Sequence, residues 1–148
     1  MADIVDAATR SRMMSRIRSK DTGIEMTVRR YLFKAGFRFR LHQKDLPGKP
    51  DLYLKKYGVV IFVHGCFWHG HMCHLFHLPK SRIEWWQEKI NGNKVRDRRN
   101  LAACRRAGLR VIQVWECQLR DHTEKQVSQT LLNVVRRIRS PTARSAGD

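Results

Sequence analysis

Residues 62–77, FVHGCFWHGHMCHLFH, contain five histidines and two cysteines, and no other segment limits the possible folds as strongly. Structural zinc in proteins is held by thiolate and imidazole groups in a closed tetrahedron of four ligands. Cys66, His71 and Cys73 provide three such donors within eight residues. One metal ion cannot use every donor in this loop, so other side chains here are expected to have another role.

A fourth zinc ligand from a distant part of the chain would fasten this loop to the rest of the fold. Cys117 is the preferred candidate, because it follows an apolar segment that ends at Trp115. The alternatives are His69, His74, His77 and Cys104. We favour a structural zinc site over a catalytic zinc with an open position or a loop without metal. Metal is also favoured over disulfide bonds, because the sequence shows no secretory signal.

Hydrophobic periodicity and turn residues predict one α/β domain over residues 1–148, with element order α-α-β-β-β-α-β-α. The strands are predicted at residues 37–41, 51–54, 59–63 and 109–115. Helices are predicted at 10–18, at 22–36 and at 81–108, the last broken or bent near Asn91-Gly92-Asn93. A final helix is predicted along a stripe of Val127, Leu131, Val134 or Val135, and Ile138. This order indicates a mixed sheet flanked by helices, with a basic arm at 1–20 and a loose tail at 140–148.

Two helix starts are predicted from capping-box motifs. Thr22 with Glu25 and Ser81 with Glu84 both show the spacing in which the two residues cap each other's backbone N–H groups. This role alone would be a sufficient structural explanation for Glu25.

The charge of the chain predicts a polyanionic partner. Thirty lysines and arginines against thirteen acidic residues give a net charge of +17. The basic residues are spread along the chain without a lipidation signal, which favours nucleic acid over a membrane surface. No run of 18 apolar residues is present, so we expect a soluble intracellular protein.

A second metal site, of different chemistry, is predicted at the neighbouring strand ends. Asp51 begins one strand and His64 follows the next, so the hairpin between them brings Asp51 close to Val63 and His64. A carboxylate and a main-chain carbonyl are hard oxygen ligands that suit Mg²⁺. Phosphodiester cleavage needs such a cation and a base, for which His64 or His69 is suited. Alternatively, Asp51 is only a turn residue and the histidines are structural.

Several motifs together resemble those of the very short patch repair (Vsr) mismatch endonucleases. The most specific is Ile61-Phe-Val-His-Gly-Cys-Phe-Trp-His69, preceded by Asp21-Thr-Gly-Ile-Glu25 and Leu46-Pro-Gly-Lys-Pro-Asp51. Further matches are Ala8-Thr-Arg-Ser, Trp86-Gln-Glu-Lys-Ile90, Arg96-Asp-Arg-Arg99 and Val114-Trp-Glu-Cys117. The resemblance covers most of the chain and weakens in the last predicted helix.

The resemblance implies the restriction-endonuclease-like fold and a Mg²⁺-dependent nick of double-stranded DNA, 5′ of the thymine in a T:G mismatch. Such mismatches arise when 5-methylcytosine deaminates, so the nick would begin repair. We expect a monomer in the bacterial cytoplasm, associated with the nucleoid and without a membrane partner.

The resemblance also implies roles for individual residues. Asp51 matches the essential Mg²⁺ carboxylate, and Val63 stands where a main-chain carbonyl is the second ligand. His69 matches the general base, with Asp97 as its orienting partner. Supporting active-site positions are matched by His64 and Glu25. The structural zinc ligands are matched by Cys66, His71, Cys73 and Cys117.

Aromatic side chains near the zinc loop match DNA-intercalating positions of the family. Phe67 and Trp68 lie between two predicted zinc ligands, and Trp86 lies on the helix that follows. Wedging a ring between base steps costs on the order of a few kcal/mol per step. A T:G wobble pair is less stable than a Watson–Crick pair, so this cost is smaller there.

Three further side chains are expected to contact DNA. Met14 is expected in the other groove, and Lys89 and Asn93 match positions that contact the mismatched bases. Trp85 and Trp115 are instead expected to pack in the core.

Two alternative functions are open to such a chain. The first is a restriction-type endonuclease that cuts matched duplex DNA. The second is a DNA-binding module that is stabilised by zinc and has no enzymatic activity.

Overall fold

The computed structural model describes residues 22–140. Its helices are α1 (Gly23–Lys34), α2 (Ile83–Arg106), α3 (Glu116–Leu119) and α4 (Glu124–Arg139), with a 3-10 turn at Lys55–Tyr57. Its strands are β1 (Arg40–Leu41), β2 (Leu52–Leu54), β3 (Val59–His64) and β4 (Arg110–Trp115). The predicted helix at 10–18, the basic arm at 1–20, Met14 and the tail at 141–148 lie outside the described residues.

The four strands form one mixed sheet in the order β1-β2-β3-β4. The first two neighbouring pairs are antiparallel, and β3 pairs with β4 in parallel across the helical crossover α2. Leu52 lies opposite Ile61, and His64 lies opposite Trp115. The predicted mixed α/β architecture is therefore confirmed, while its assignment to the restriction-endonuclease-like fold stays a prediction.

Helices cover both faces of the sheet, because β3 is apolar on both sides. Val59 and Ile61 pack in a core formed with α1 and α4, whereas Val60 and Phe62 pack on the other face. Successive side chains of a strand point to opposite faces, which explains this division. On the second face, Leu101 and Cys104 of α2 complete the core, so Cys104 is not near the loop cysteines as a fourth ligand.

Of the break or bend predicted near Gly92, the break is wrong, because α2 runs without interruption from Ile83 to Arg106. Its buried face packs on both sides of Gly92, because Trp86 and Ile90 lie against the loop after β3 and Leu101 packs against the sheet. Gly92 is exposed on the opposite side, where glycine costs a helix only about 1 kcal/mol. The free-energy cost of Gly92 to the helix is smaller than the stabilisation that the buried face of α2 gains from packing.

The start of α2 also differs from prediction. Arg82, not Ser81, is the N-cap residue, and it adopts a left-handed backbone (φ 56°) without a side-chain capping hydrogen bond. The first strand is shorter than predicted, since only Arg40 and Leu41 pair with β2. Phe37 instead packs its ring against that of Tyr57, with the ring centroids 5.5 Å apart.

The turn that leads into β2 is held tightly against α2. Gly48 has φ 74°, and a Cβ atom placed there would lie 2.8 Å from Cβ of Asn100. Cys104 donates its S–H to the carbonyl of Pro47 at 3.3 Å. These contacts fix the backbone that delivers Asp51 to the start of β2.

We expect Gly48→Ala to lower the free energy of unfolding by about 1–3 kcal/mol, through both the close contact and the left-handed backbone. Gly92→Ala is the matched control, because a Cβ there meets no atom within 4 Å. It should stabilise the protein by about 0.5–1 kcal/mol through helix propensity. Urea unfolding measures both changes, and equal stability of the two variants would contradict this account.

Candidate functional site

Three groups of side chains able to bind a metal ion lie in the described residues 22–140. They are Cys66, His71, Cys73 and Cys117; His64, His69 and Asp97; and Glu25, His42 and Asp51. Within each group, one ligand atom per residue lies within 4.8 Å of the others.

The first group has the geometry of a tetrahedral metal site. The Sγ atoms of Cys66 and Cys117 each lie 3.6 Å from Nδ1 of His71. Typical zinc–sulfur and zinc–nitrogen bond lengths place two such ligands about 3.6 Å apart in a tetrahedron. The structure thus brings together the three ligands predicted in the loop with the distant Cys117.

The surroundings of this group favour a bound cation. Burial raises the pKa of the Cys66 thiol to about 12, and a divalent cation would supply the charge that stabilises its thiolate. The Cys117 N–H donates to Cys66 Sγ at 3.3 Å, and Glu116 Oε1 accepts the Cys66 N–H at 3.2 Å. Trp115, which was expected in the core, is half-buried and stacks on His71 with centroids 4.1 Å apart.

Asp51 is held at the end of β3 as the hairpin register predicts. Its Oδ2 accepts the Val63 N–H at 2.7 Å. Burial raises the pKa of Asp51 to about 7, and the nearby Glu25 carboxylate adds to this effect, while the Val63 hydrogen bond opposes it. A carboxyl group in this environment gains much from a bound cation.

Glu25 faces this site rather than serving only the helix start. Thr22 does cap α1, since its hydroxyl accepts the Glu25 N–H at 3.3 Å. The Glu25 carboxylate is buried, accepts from Arg29 Nη1 at 3.4 Å and lies 3.1 Å from His42 Nε2. His42 was missed in the sequence, because no motif contains it and it lies beyond a two-residue strand.

The second group places a histidine beside a carboxylate. Nδ1 of His69 lies 2.6 Å from Oδ2 of Asp97, which brings together residues 28 positions apart, on the loop and on α2. The His69 ring stacks on His64 with centroids 4.0 Å apart. His64 is buried, and in residues 22–140 its Nδ1 has no hydrogen-bond partner.

One cavity of about 290 Å³ joins four of the five predicted catalytic residues, while Glu25 is not among its lining residues. Its lining includes Asp51, Val63, His64, His69 and Asp97. A cavity lined by carboxylate and imidazole side chains can hold a cation and a polar substrate together.

The aromatic residues form one cluster whose exposure differs from expectation. Phe67 and Trp68 are partly exposed, with centroids 5.1 Å apart. Trp86 is buried behind them, 5.4 Å from Phe67, because it faces the loop from α2. The expectation that Trp85 lies in the core is wrong, since it is 44% exposed on the outer side of α2.

The two predicted base-contacting residues lie on α2 in different settings. Lys89 is exposed. Asn93 is half-buried, and its Nδ2 donates to the carbonyl of Trp68 at 2.9 Å. Asn93 therefore braces the aromatic loop, and its contact with bases stays a prediction.

Comparison with known proteins places this geometry in a family. Residues 2–75 match the family model described as DNA mismatch endonuclease Vsr. The chain belongs to this family. DNA mismatch endonuclease Vsr of Escherichia coli K12 is 47% identical over 131 residues, which cover 88% of this chain and 83% of the relative.

Two other Vsr-like relatives are named as nicking enzymes. Type II nicking enzyme V.XorIIP of Xanthomonas oryzae is 49% identical over 82% of this chain and 89% of its own length. Type II nicking enzyme V.NmeAIP of Neisseria meningitidis is 45% identical over 94% of this chain and 98% of its own length. Within residues 22–140, no helix has the length and apolar character needed to span a membrane.

We expect the His64 imidazole to stay neutral in the folded protein at mildly acidic pH. Burial lowers its pKa to about 3, and the adjacent His69 adds to the effect. Ring ¹⁵N chemical shifts, assigned by comparison with His64→Gln, measure its protonation directly. A midpoint close to the ordinary histidine value of about 6.5 would contradict this burial effect.

Proposed function

We propose that this protein nicks duplex DNA 5′ of the thymine in T:G mismatches, and that this nick initiates repair of deaminated 5-methylcytosine. The observation that supports this most is the single cavity that joins Asp51, Val63 and the His69–Asp97 pair. Membership in the Vsr family and relatives named as nicking enzymes support cleavage of one strand. We place the protein in the cytoplasm, at the nucleoid, where this substrate occurs.

Asp51 and the main-chain carbonyl of Val63 are the proposed Mg²⁺ ligands. Their oxygen donors fit the hard character of this ion, and the buried Asp51 carboxyl group needs a compensating charge. When bound, the ion would neutralise charge that develops on the phosphate.

His69 is the general base in this proposal. Its Nε2 takes a proton from water as the water oxygen bonds to phosphorus and the phosphorus–oxygen bond to the leaving group breaks. Asp97, 2.6 Å from Nδ1, orients the ring and stabilises the positive charge that forms. His64 is the weaker candidate, because burial holds its pKa near 3 and disfavours the protonated ring.

Mismatch preference is proposed to arise at the aromatic cluster. Phe67 and Trp68 lie on a loop whose ends are held by two metal-ligand residues, Cys66 and His71. A rigid pair of rings can enter a base step at a lower entropic cost, and a wobble pair resists unstacking less. Trp86 supports both rings from behind and would have to move to intercalate itself.

The positive charge supplies affinity without sequence selection. Lys89, Arg96, Arg98 and Arg99 are exposed along α2, on the same helix as Asp97 and the aromatic Trp86. Contacts of such groups with phosphates release counterions and fix the position of the protein on the duplex.

We expect wild-type protein with Mg²⁺ to nick a T:G duplex and to leave the matched duplex of the same sequence intact. Asp51→Asn should lower the single-turnover rate by roughly 10³-fold or more while binding persists. Asp45→Asn, an exposed residue of the preceding turn, is the matched control. Denaturing gels of the labelled thymine strand measure the rate.

The same nicking assay distinguishes the proposed mismatch endonuclease from the two alternative functions. Equal cutting of matched and mismatched duplexes would favour the restriction-type endonuclease. Binding without any nicking would favour the non-enzymatic module, and full activity of Asp51→Asn would refute the proposed role of that carboxylate.

The proposed identity of the metal at the Cys66–His71–Cys73–Cys117 site is zinc. We expect one tightly held Zn²⁺ per chain by elemental analysis after dialysis. Cys73→Ser should lose this stoichiometric zinc and unfold at a lower temperature. Cys104→Ala, which removes a buried core thiol outside the site, should retain zinc even though it is less stable. Zinc retained by Cys73→Ser would refute the assignment.

A further inference from the structure

His42 lies between two carboxylates, and no predicted role includes it. It follows β1 with a left-handed backbone (φ 48°), and its N–H donates to the carbonyl of Asp51 at 3.1 Å. The Gln43 N–H donates in the same way to the carbonyl of Pro50 at 3.3 Å. The imidazole is therefore carried by backbone that is tied directly to the proposed metal carboxylate.

One nitrogen of the His42 ring faces each carboxylate. Nε2 lies 3.1 Å from Glu25 Oε2, and Nδ1 lies 3.9 Å from Asp51 Oδ1. The other Asp51 oxygen, Oδ2, is occupied by the Val63 N–H. The Asp51 oxygen on the side of the imidazole is thus Oδ1.

One ion can use only one of the two ring nitrogens, so the ligand set is one atom from each of the three side chains. With metal–ligand distances near 2.1 Å, adjacent ligands lie about 3 Å apart and opposite ligands about 4.2 Å apart. The three side chains can each present an atom within 4.8 Å of the others, next to the cavity that Asp51 lines. The group therefore combines two oxygen donors and one nitrogen donor, unlike a site built only from oxygen.

We propose that His42 is a further, nitrogen ligand of the catalytic cation beside Asp51 and Glu25, and that it strengthens the binding of Mn²⁺ more than that of Mg²⁺. Imidazole binds transition-metal ions well, whereas Mg²⁺ selects oxygen ligands. This inference rests on the proposed function only in taking Asp51 as the metal carboxylate.

The test is Mn²⁺ binding to the zinc-loaded full chain without DNA, followed by electron paramagnetic resonance. Pulsed measurements detect a ¹⁴N nucleus bonded directly to Mn²⁺, and the free-ion signal gives the affinity. We expect the wild type to show this nitrogen coupling. His42→Gln should lose the coupling and bind Mn²⁺ about tenfold more weakly, while Mg²⁺ affinity, measured by competition, changes much less.

Three further variants make the result specific. His77→Gln replaces an exposed histidine outside the three groups and should behave as wild type. His64→Gln should retain the nitrogen coupling. His42→Asp exchanges the nitrogen donor for oxygen, so it should still bind and shift the preference towards Mg²⁺.

Other outcomes would overturn the inference. If coupling persists in His42→Gln, or vanishes only in His64→Gln, His42 merely braces the carboxylates. If Mn²⁺ binding depends on Asp51 but not on His42, this inference fails and the proposed nuclease site stands. If no cation binding depends on Asp51, both the His42 inference and the proposed nuclease site fail.

Discussion

The site depends on the register between β2 and β3, which allows the Val63 N–H to donate a hydrogen bond to Asp51 Oδ2 at 2.7 Å. It exists because β2 pairs with β3 in a register that places Leu52 opposite Ile61. Since β3 is apolar on both faces, two helical layers fix that register. A slip by one residue would exchange the two faces and remove Asp51 from the cavity.

The end of β3 also links the Cys66–His71–Cys73–Cys117 group to the His64–His69–Asp97 group. Cys66 follows the strand closely, and His69 lies between the ligand residues Cys66 and His71 along the chain. The loop is closed by hydrogen bonds from His69 N–H to the Gly65 carbonyl at 3.2 Å and from His71 N–H to the Cys66 carbonyl at 2.9 Å. A metal that fixes Cys66 and His71 therefore fixes the backbone of the proposed base as well.

Features that follow from the local sequence pattern could be predicted. Features that depend on packing between segments distant in the sequence could not. Strands β2 to β4, the approach of Cys117 to Cys66 and that of Asp51 to Val63 follow from apolar runs and hairpin geometry. The continuity of α2 at Gly92 depends on packing of its opposite face. His42 joins Glu25 only through a three-dimensional contact between α1 and the end of β1.

Burial of the Asp51 carboxyl group opposes its ionisation and favours cation binding. A carboxyl group whose pKa is raised on folding, as for Asp51, keeps its proton more strongly in the folded state. Its contribution to folding stability therefore falls as pH rises from about 3.8 to about 7, by an amount on the order of a few kcal/mol. A bound cation reverses this loss, since it interacts with the ionised form. The stability that Asp51 loses on ionisation would thus return as affinity for the metal that the proposed reaction needs.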